Sequence, residues 1–358
     1  MSRPLRVVVA SDAIGPLDSE QAGVAIARGW SGEARVAVVP LAESGPPLAR
    51  ALAALLGGEP VVTDEGWWLR AGDTLAVGAE IPGTPGAGSA WDASASSVEF
   101  GRWVANCLEP GPAPGRLILD LTGLTALDGG AGLLAALGAA ATGDLTAGLA
   151  GLRAAGDLAL CLPASPGRGS QPISTEVIGV IAQDETDLQL LGLRGAVSRR
   201  GFAVRLDPAE LLAAESTMAG WLAALGVADG PGTGAAGGAA AAVRALGGRV
   251  LRGTELCAGL AGLARTLSQA DAVITGCTEF HIGNRGGQVV RFVADLAVGA
   301  QRPCLVFAGE SSLSRREMRT FGVEAAHTFG PGPLPEALTA AAVRVAQGWT
   351  AAAERRVD

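Results

Sequence analysis

The chain has 358 residues, enough for two domains each with its own core. Its 27 basic residues are all arginine and stand against 35 acidic ones, so the net charge is -8 and no basic stripe exists to meet a nucleic acid. Lysine and tyrosine are absent, which excludes any mechanism that needs a side-chain amine.

The opening run "LRVVVA" (5–10) is a buried strand, and four apolar residues before Ser11 and Asp12 are too few for a signal sequence. "DSEQAGVAIARGW" (18–30) follows as a helix in which Asp18 and Gln21 form a capping pair and Ala22, Ile26 and Trp30 share a face. A strand at 35–42 and a helix at 47–58 complete a βαβα opening, which predicts a parallel sheet. Residues 60–82 read as extended segments of antiparallel character, followed by a loop at 83–92 and a helix at 94–108. Strands at 158–163 and 176–182 are split by a proline/glycine loop, and a helix near 207–226 leads to the glycine-rich 230–242. From about 248 the βα alternation returns, with strands at 271–276, 303–309 and 324–329 and helices at 254–269, 288–299 and 335–350.

This grammar predicts an α/β protein: a Rossmann-like parallel-sheet domain built from both chain ends (1–59 and 246–358) and an inserted second α/β domain (60–245). Ligands of such sheets lie beyond the carboxyl ends of the strands, so the site is expected in the cleft between the domains. No run is long enough to span a membrane. The cysteines at 107, 161, 257, 277 and 304 lack metal or disulfide spacing, as expected of reduced thiols in a cytoplasmic protein.

Few residues carry chemistry. Asp12 follows the first strand directly and either meets a ligand hydroxyl or metal, or caps its own loop. "LDLTGLTALDGGAGLLAALG" (119–138) runs from a strand into a helix start, with Asp128 as N-cap or ligand and the Gly129 and Gly130 amides beside it. "GTGAAGG" (232–238) permits close backbone approach to an anion but lacks the spacing of a P-loop. "QDETD" (183–187) collects carboxylates that suit Mg²⁺ through waters, or simply form a solvated acidic turn. His281 and His327 have no partners at metal spacing and read as surface or packing residues.

Taken in order, these fragments resemble the bacterial glycerate kinase family over roughly 5–330. The strand and D-S-F-K turn of that family is similar to "SDAIG", which keeps Asp12 and has Gly15 at the lysine. Its V-P-x-A-D-G-G-E-G-T is similar to "VPLAESGPPL", with Glu43 for Asp and Pro46 for Glu. Its G-G-S-A-T-N-D-G-G-A-G ends in the intact "DGGAG", with Leu127 for Asn. C-D-V-D-N-P-L-L-G is similar to "DETDLQLLG", and Q-K-G to "RRG" with Arg200 for Lys. G-A-G-A-A-G-G is kept as "GTGAAGG" with one change. T-G-E-G-R-x-D-x-Q-T-x-x-G-K is similar to "TGCTEFHIGNRGGQ", with Cys277, His281 and Gln288 replacing Glu, Asp and Lys.

The resemblance implies ATP- and Mg²⁺-dependent phosphorylation of D-glycerate. Asp12, Asp128 and Asp187 would be catalytic, and Glu185 and Asp187 would hold the metal. Gly129, Gly130, Gly234, Gly237, Gly238, Thr275 and Gly276 would lie along the nucleotide, and Glu43, Arg200 and Arg285 would meet the hydroxy acid. What persists in the motifs is scaffold, and what is lost is charge. Phosphoryl transfer depends on cationic stabilisation, so the substitutions imply weak or absent turnover. The alternatives are a pseudokinase that binds a small molecule or protein, and a kinase of another hydroxy acid.

Overall fold

A computed structural model describes residues 3–79, 91–109, 111–160, 175–330, 332 and 334–354. Most of the loop expected at 83–92, Cys161 and the end of the strand expected at 158–163 lie outside them. In chain order come β1 (Leu5–Ser11), α1 (Ser19–Trp30), β2 (Ala34–Pro40), α2 (Gly45–Leu56), β3 (Val61–Val62), β4 (Gly66–Ala71) and β5 (Thr74–Ala79). Then follow α3 (Val98–Leu108), β6 (Arg116–Asp120), α4 (Ala131–Ala136), β7 (Ala140–Thr142), α5 (Gly148–Gly151), β8 (Gly156–Ala159) and β9 (Glu176–Ile181). Next are α6 (Ala196–Ala203), α7 (Pro208–Leu225), α8 (Ala239–Ala245), β10 (Arg249–Arg252), α9 (Gly253–Leu260) and α10 (Leu263–Ser268). The chain ends with β11 (Ala272–Phe280), α11 (Gly287–Gly299), β12 (Cys304–Ser311), α12 (Arg315–Thr320), β13 (Ala325–Thr328) and α13 (Leu334–Glu354).

The chain divides into two compact units, one of Met1–Glu43, Arg50–Gly57 and Gly253–Asp358, the other of Ser44–Ala49 and Gly58–Arg252. The first holds a parallel sheet in the order β13-β12-β11-β1-β2, so strands from both chain ends pair directly, Val8 opposite Val273. Alternation puts Val7, Val9, Ile274, Leu305 and Phe307 on one face, where α1 and α13 cover them. Asp18 and Gln21 form the expected reciprocal cap of α1, and Ala22, Ile26 and Trp30 are fully buried. Gly29 lets α13 approach α1 closely, since a Cβ there would stand 2.5 Å from that of Ala342.

The second unit holds a mixed sheet in the order β10-β9-β6-β5-β4-β3, in which β3, β4 and β5 are antiparallel neighbours and the rest pair in parallel. The returning βα pattern placed the residues from 246 in the first domain, but β10 pairs with β9 in the second sheet. The crossing into the first unit comes after it, at Gly253. The core of this unit is built from Leu119, Leu133, Trp221 and the alanines of α8. Several expected elements differ in extent, two of them for a clear physical reason. The helix expected at 254–269 is broken by Gly262 at φ +62 into α9 and α10. β11 continues four residues past Gly276, because its ladder with β12 persists to Glu279–Glu310 and Phe280–Ser311.

Candidate functional site

The residues singled out from sequence fall into two groups, one in each unit. In the second unit, β6 delivers the 119–138 stretch, and Asp128 sits fully buried where its turn meets α4. It does not act as a simple N-cap; Gly130, left-handed at φ 75, occupies the cap position. The Asp128 carboxylate accepts from the Gly130 and Gly132 amides at 2.9 and 3.1 Å, and from the Ser97 amide and hydroxyl at 2.7 and 2.8 Å. Ser97 precedes α3, and its hydroxyl oxygen in turn accepts from the Leu133 amide at 2.9 Å. One carboxylate thus ties the starts of two helices together. Burial pushes its pKa up, opposed by these hydrogen bonds.

The glycines beside it serve close packing of backbone on backbone. Gly129 donates to the Gly237 carbonyl at 3.0 Å and carries Trp221, whose indole donates to the Gly129 carbonyl at 3.0 Å. A Cβ on Gly237 would stand 1.9 Å from the Ala126 carbonyl oxygen, on Gly234 2.2 Å from that of Gln189, and on Gly238 2.8 Å from the Gly129 Cα. Ala236, Gly237 and Gly238 are consecutive left-handed residues (φ 53, 63 and 93), the strained turn that this convergence requires. The space around these glycines is filled by the chain itself.

Glu185 meets the same turn, and Arg200 holds the segment before Asp128. Glu185 accepts from the Ala236 amide at 3.1 Å, and Arg200 donates to the Thr125 carbonyl. Burial raises the Glu185 pKa and lowers that of Arg200, while their mutual charge favours ionisation of both. Asp187, two residues beyond Glu185, is exposed, as is Asp184. Among the described residues no three His, Cys, Asp or Glu side chains converge for a metal ion, so this donor set does not form a protein-only Mg²⁺ site.

The other group lies at the carboxyl ends of β1 and β11. Asp12 is half-buried, accepts from the Ala13 amide at 2.8 Å, and burial pushes its pKa up to about 6. Thr275 is fully buried, and its hydroxyl has no hydrogen-bond partner. Gly276 faces Ile14, with the Ser11 hydroxyl 3.2 Å from where a Cβ would stand. The Cys277 thiol is pushed up to about 12, first by burial and then by the Asp12 charge, so it is not a thiolate at neutral pH. Glu43, just before α2, is exposed. Arg285 stands apart from these residues, left-handed at φ 51 with its guanidinium 4.5 Å over the Phe321 ring. His281 lies 3.6 Å from Glu279, and His327 packs on Phe307.

Asp120 and Ser97 escaped the sequence reading. Both act on partners distant in sequence, Asp120 on Gly45 and Ser97 on Asp128. A buried acid at the end of an apolar strand, "LILD", was the one local signal for Asp120.

Comparison with known proteins gives a consistent family. The sequence model of the Glycerate kinase family matches residues 7–355. Uncharacterized proteins of Mycobacterium bovis and Mycobacterium tuberculosis are each 30% identical over 353 residues, covering 90% of this chain and 83% of theirs. A crystal structure described as "putative glycerate kinase 2" from Salmonella typhimurium LT2 matches with a TM-score of 0.72 at 22% identity, covering 98% of this chain and 100% of that one. At that identity the likeness establishes the fold.

Proposed function

This chain belongs to the glycerate kinase family, and from that premise we propose that it keeps the family's framework for a small hydroxy acid while transferring a phosphoryl group to D-glycerate weakly or not at all. One observation carries this reading: Asp128, Glu185 and Arg200, charged groups at motif positions of the second unit, are committed to hydrogen bonds within the chain. Asp128 takes five internal donors, Glu185 takes the Ala236 amide, and Arg200 gives to the Thr125 carbonyl. No lysine exists to replace them. Phosphoryl transfer is almost entirely positioning plus electrostatic stabilisation, so committing Arg200 to the backbone costs much of the rate.

ATP would be the co-substrate of any residual activity. The glycine turn at 234–238 contributes its conformation, yet its inner side is filled by Ala126, Gln189 and Gly129. No step is assigned through Mg²⁺, since the carboxylates near 184–187 do not converge.

A second reading rests on Asp12. A carboxyl whose pKa lies near 6 is suited to accept a proton from an attacking hydroxyl. The buried Thr275 hydroxyl in the neighbouring strand offers a hydrogen bond to a ligand. On this reading the protein is an active kinase of a hydroxy acid other than D-glycerate. Calorimetric titration with ATP, D-glycerate and related hydroxy acids, beside a coupled turnover assay, separates the two. Binding without turnover supports the first, and turnover with an alternative acid that Asp12→Asn abolishes supports the second.

A further inference from the structure

The break between α9 and α10 opens a groove on the first unit. Gly262, left-handed at φ +62, stands at the cap of α10. Leu256 and Cys257 of α9, Leu263 and Leu267 of α10, and Val293 and Ala297 of α11 are buried. Leu260, Phe292 and Leu296 are not used in this way. They stay half-buried and line a cavity of about 700 Å³ between the three helices. A Cβ on Gly259 or Gly262 would meet nothing within 4 Å, so no side chain crowds the groove at the break. All the lining residues lie within one unit, and none belongs to the motifs that carry the family resemblance.

The polar groups at the groove are few. Glu255 stands in the first turn of α9 and Arg265 in α10, on either side of the break. The Thr266 hydroxyl is directed to the Gly262 carbonyl at 3.3 Å. Arg265 is exposed, and among the described residues its guanidinium forms no hydrogen bond or ion pair. A guanidinium beside a wall of leucine and phenylalanine complements a ligand that carries an anionic group on an apolar body. Among the described residues that line the groove Arg265 is the one cation, which fits a monoanion and not a polyphosphate. The volume falls within the range of about 300–1,000 Å³ typical of small-molecule sites.

We propose that the groove between α9, α10 and α11 is a binding site for a small amphipathic monoanion of the medium-chain carboxylate class. Arg265 pairs with the carboxylate, and Leu260, Phe292 and Leu296 cover the apolar body. The proposal stands apart from the kinase reading and holds whether or not the protein turns over D-glycerate.

Fluorescence titration of the full-length protein with anilinonaphthalene sulfonate, itself an apolar body with one anionic group, tests it. The bound probe is then displaced by octanoate or by neutral octanol. The wild type is expected to show one saturable site that octanoate empties. Arg265→Gln is expected to weaken octanoate by about tenfold or more and octanol by less than about twofold. Gly259→Leu, which projects a side chain into the groove, is expected to weaken both by about tenfold or more. Arg265 is exposed, so its substitution spares the fold, and that arm decides the matter even if Gly259→Leu does not fold. No saturable site in the wild type, an equal effect of Arg265→Gln on octanoate and octanol, or full binding by a folded Gly259→Leu would overturn the proposal. So would sedimentation showing a wild-type dimer that Gly259→Leu dissociates, because a second copy of the chain would then fill the groove.

Discussion

Asp128→Ala should destabilise the second unit far more than loss of an ordinary cap. An N-cap lost to alanine costs about 1 kcal/mol. Here the substitution strands the Ser97, Gly130 and Gly132 amides and the Ser97 hydroxyl in a fully buried site. Each buried donor left without a partner costs about 1–3 kcal/mol, and partial re-pairing and water entry reduce the sum to about 3–6 kcal/mol. Asp128→Asn keeps an acceptor of similar shape and should cost about 1–3 kcal/mol. Urea unfolding followed by tryptophan fluorescence reads this directly, because Trp221 is buried and bonded to the Gly129 carbonyl. A loss of about 1 kcal/mol or less in Asp128→Ala would refute the account of Asp128 as the tie between α3 and α4.

Gly237→Ala should abolish folding of the second unit or lower its stability by more than about 3 kcal/mol, since the methyl group would overlap the Ala126 carbonyl at φ +63; thermal unfolding checks it. Gly259→Ala, in open space near the end of α9, should instead raise the melting temperature through about 0.5–1 kcal/mol of helix propensity. Asp12, whose pKa is raised by burial from 3.8 to about 6, contributes stability that is present below the unfolded value and lost as pH rises through about 6. Asp12→Asn should therefore flatten the stability profile of the first unit between about pH 4 and 6 and gain about 2–3 kcal/mol at pH 7.5, seen in urea titrations at several pH values. Arg285→Gln should cost only about 0.5–1 kcal/mol, the scale of an exposed cation–π contact, in thermal unfolding.

Much of the fold is legible because its signals are local. The Asp18–Gln21 pair and the Ala22–Ile26–Trp30 face each act within a few residues, and each stands where the pattern puts it. The end of β11 and the sheet of β10 were not legible, because ladder partners decide them: Glu310 and Ser311 extend one, and Ile178 to Ile181 capture the other. The candidate site divides the same way. Sequence order brings out Asp12, Asp128 and the glycine turns, but not what each side chain spends its hydrogen bonds on. "DGGAG" reads alike whether its carboxylate faces a cation or Ser97, and only the approach of α3, about thirty residues earlier, distinguishes them. Arg200 is similar, a cation in sequence and a backbone donor to Thr125 in the fold.

Steady-state turnover of the purified protein with ATP, Mg²⁺ and D-glycerate tests the central claim most directly. Two lost charge contacts cost on the order of 5–8 kcal/mol of barrier, which brings an ordinary kinase to well below about one turnover per minute. The account predicts a rate under that limit, unchanged within error by Arg200→Gln. A rate above about one per second, abolished by Arg200→Gln, would show that the guanidinium bonded to Thr125 turns to the transferring phosphate, and would contradict it.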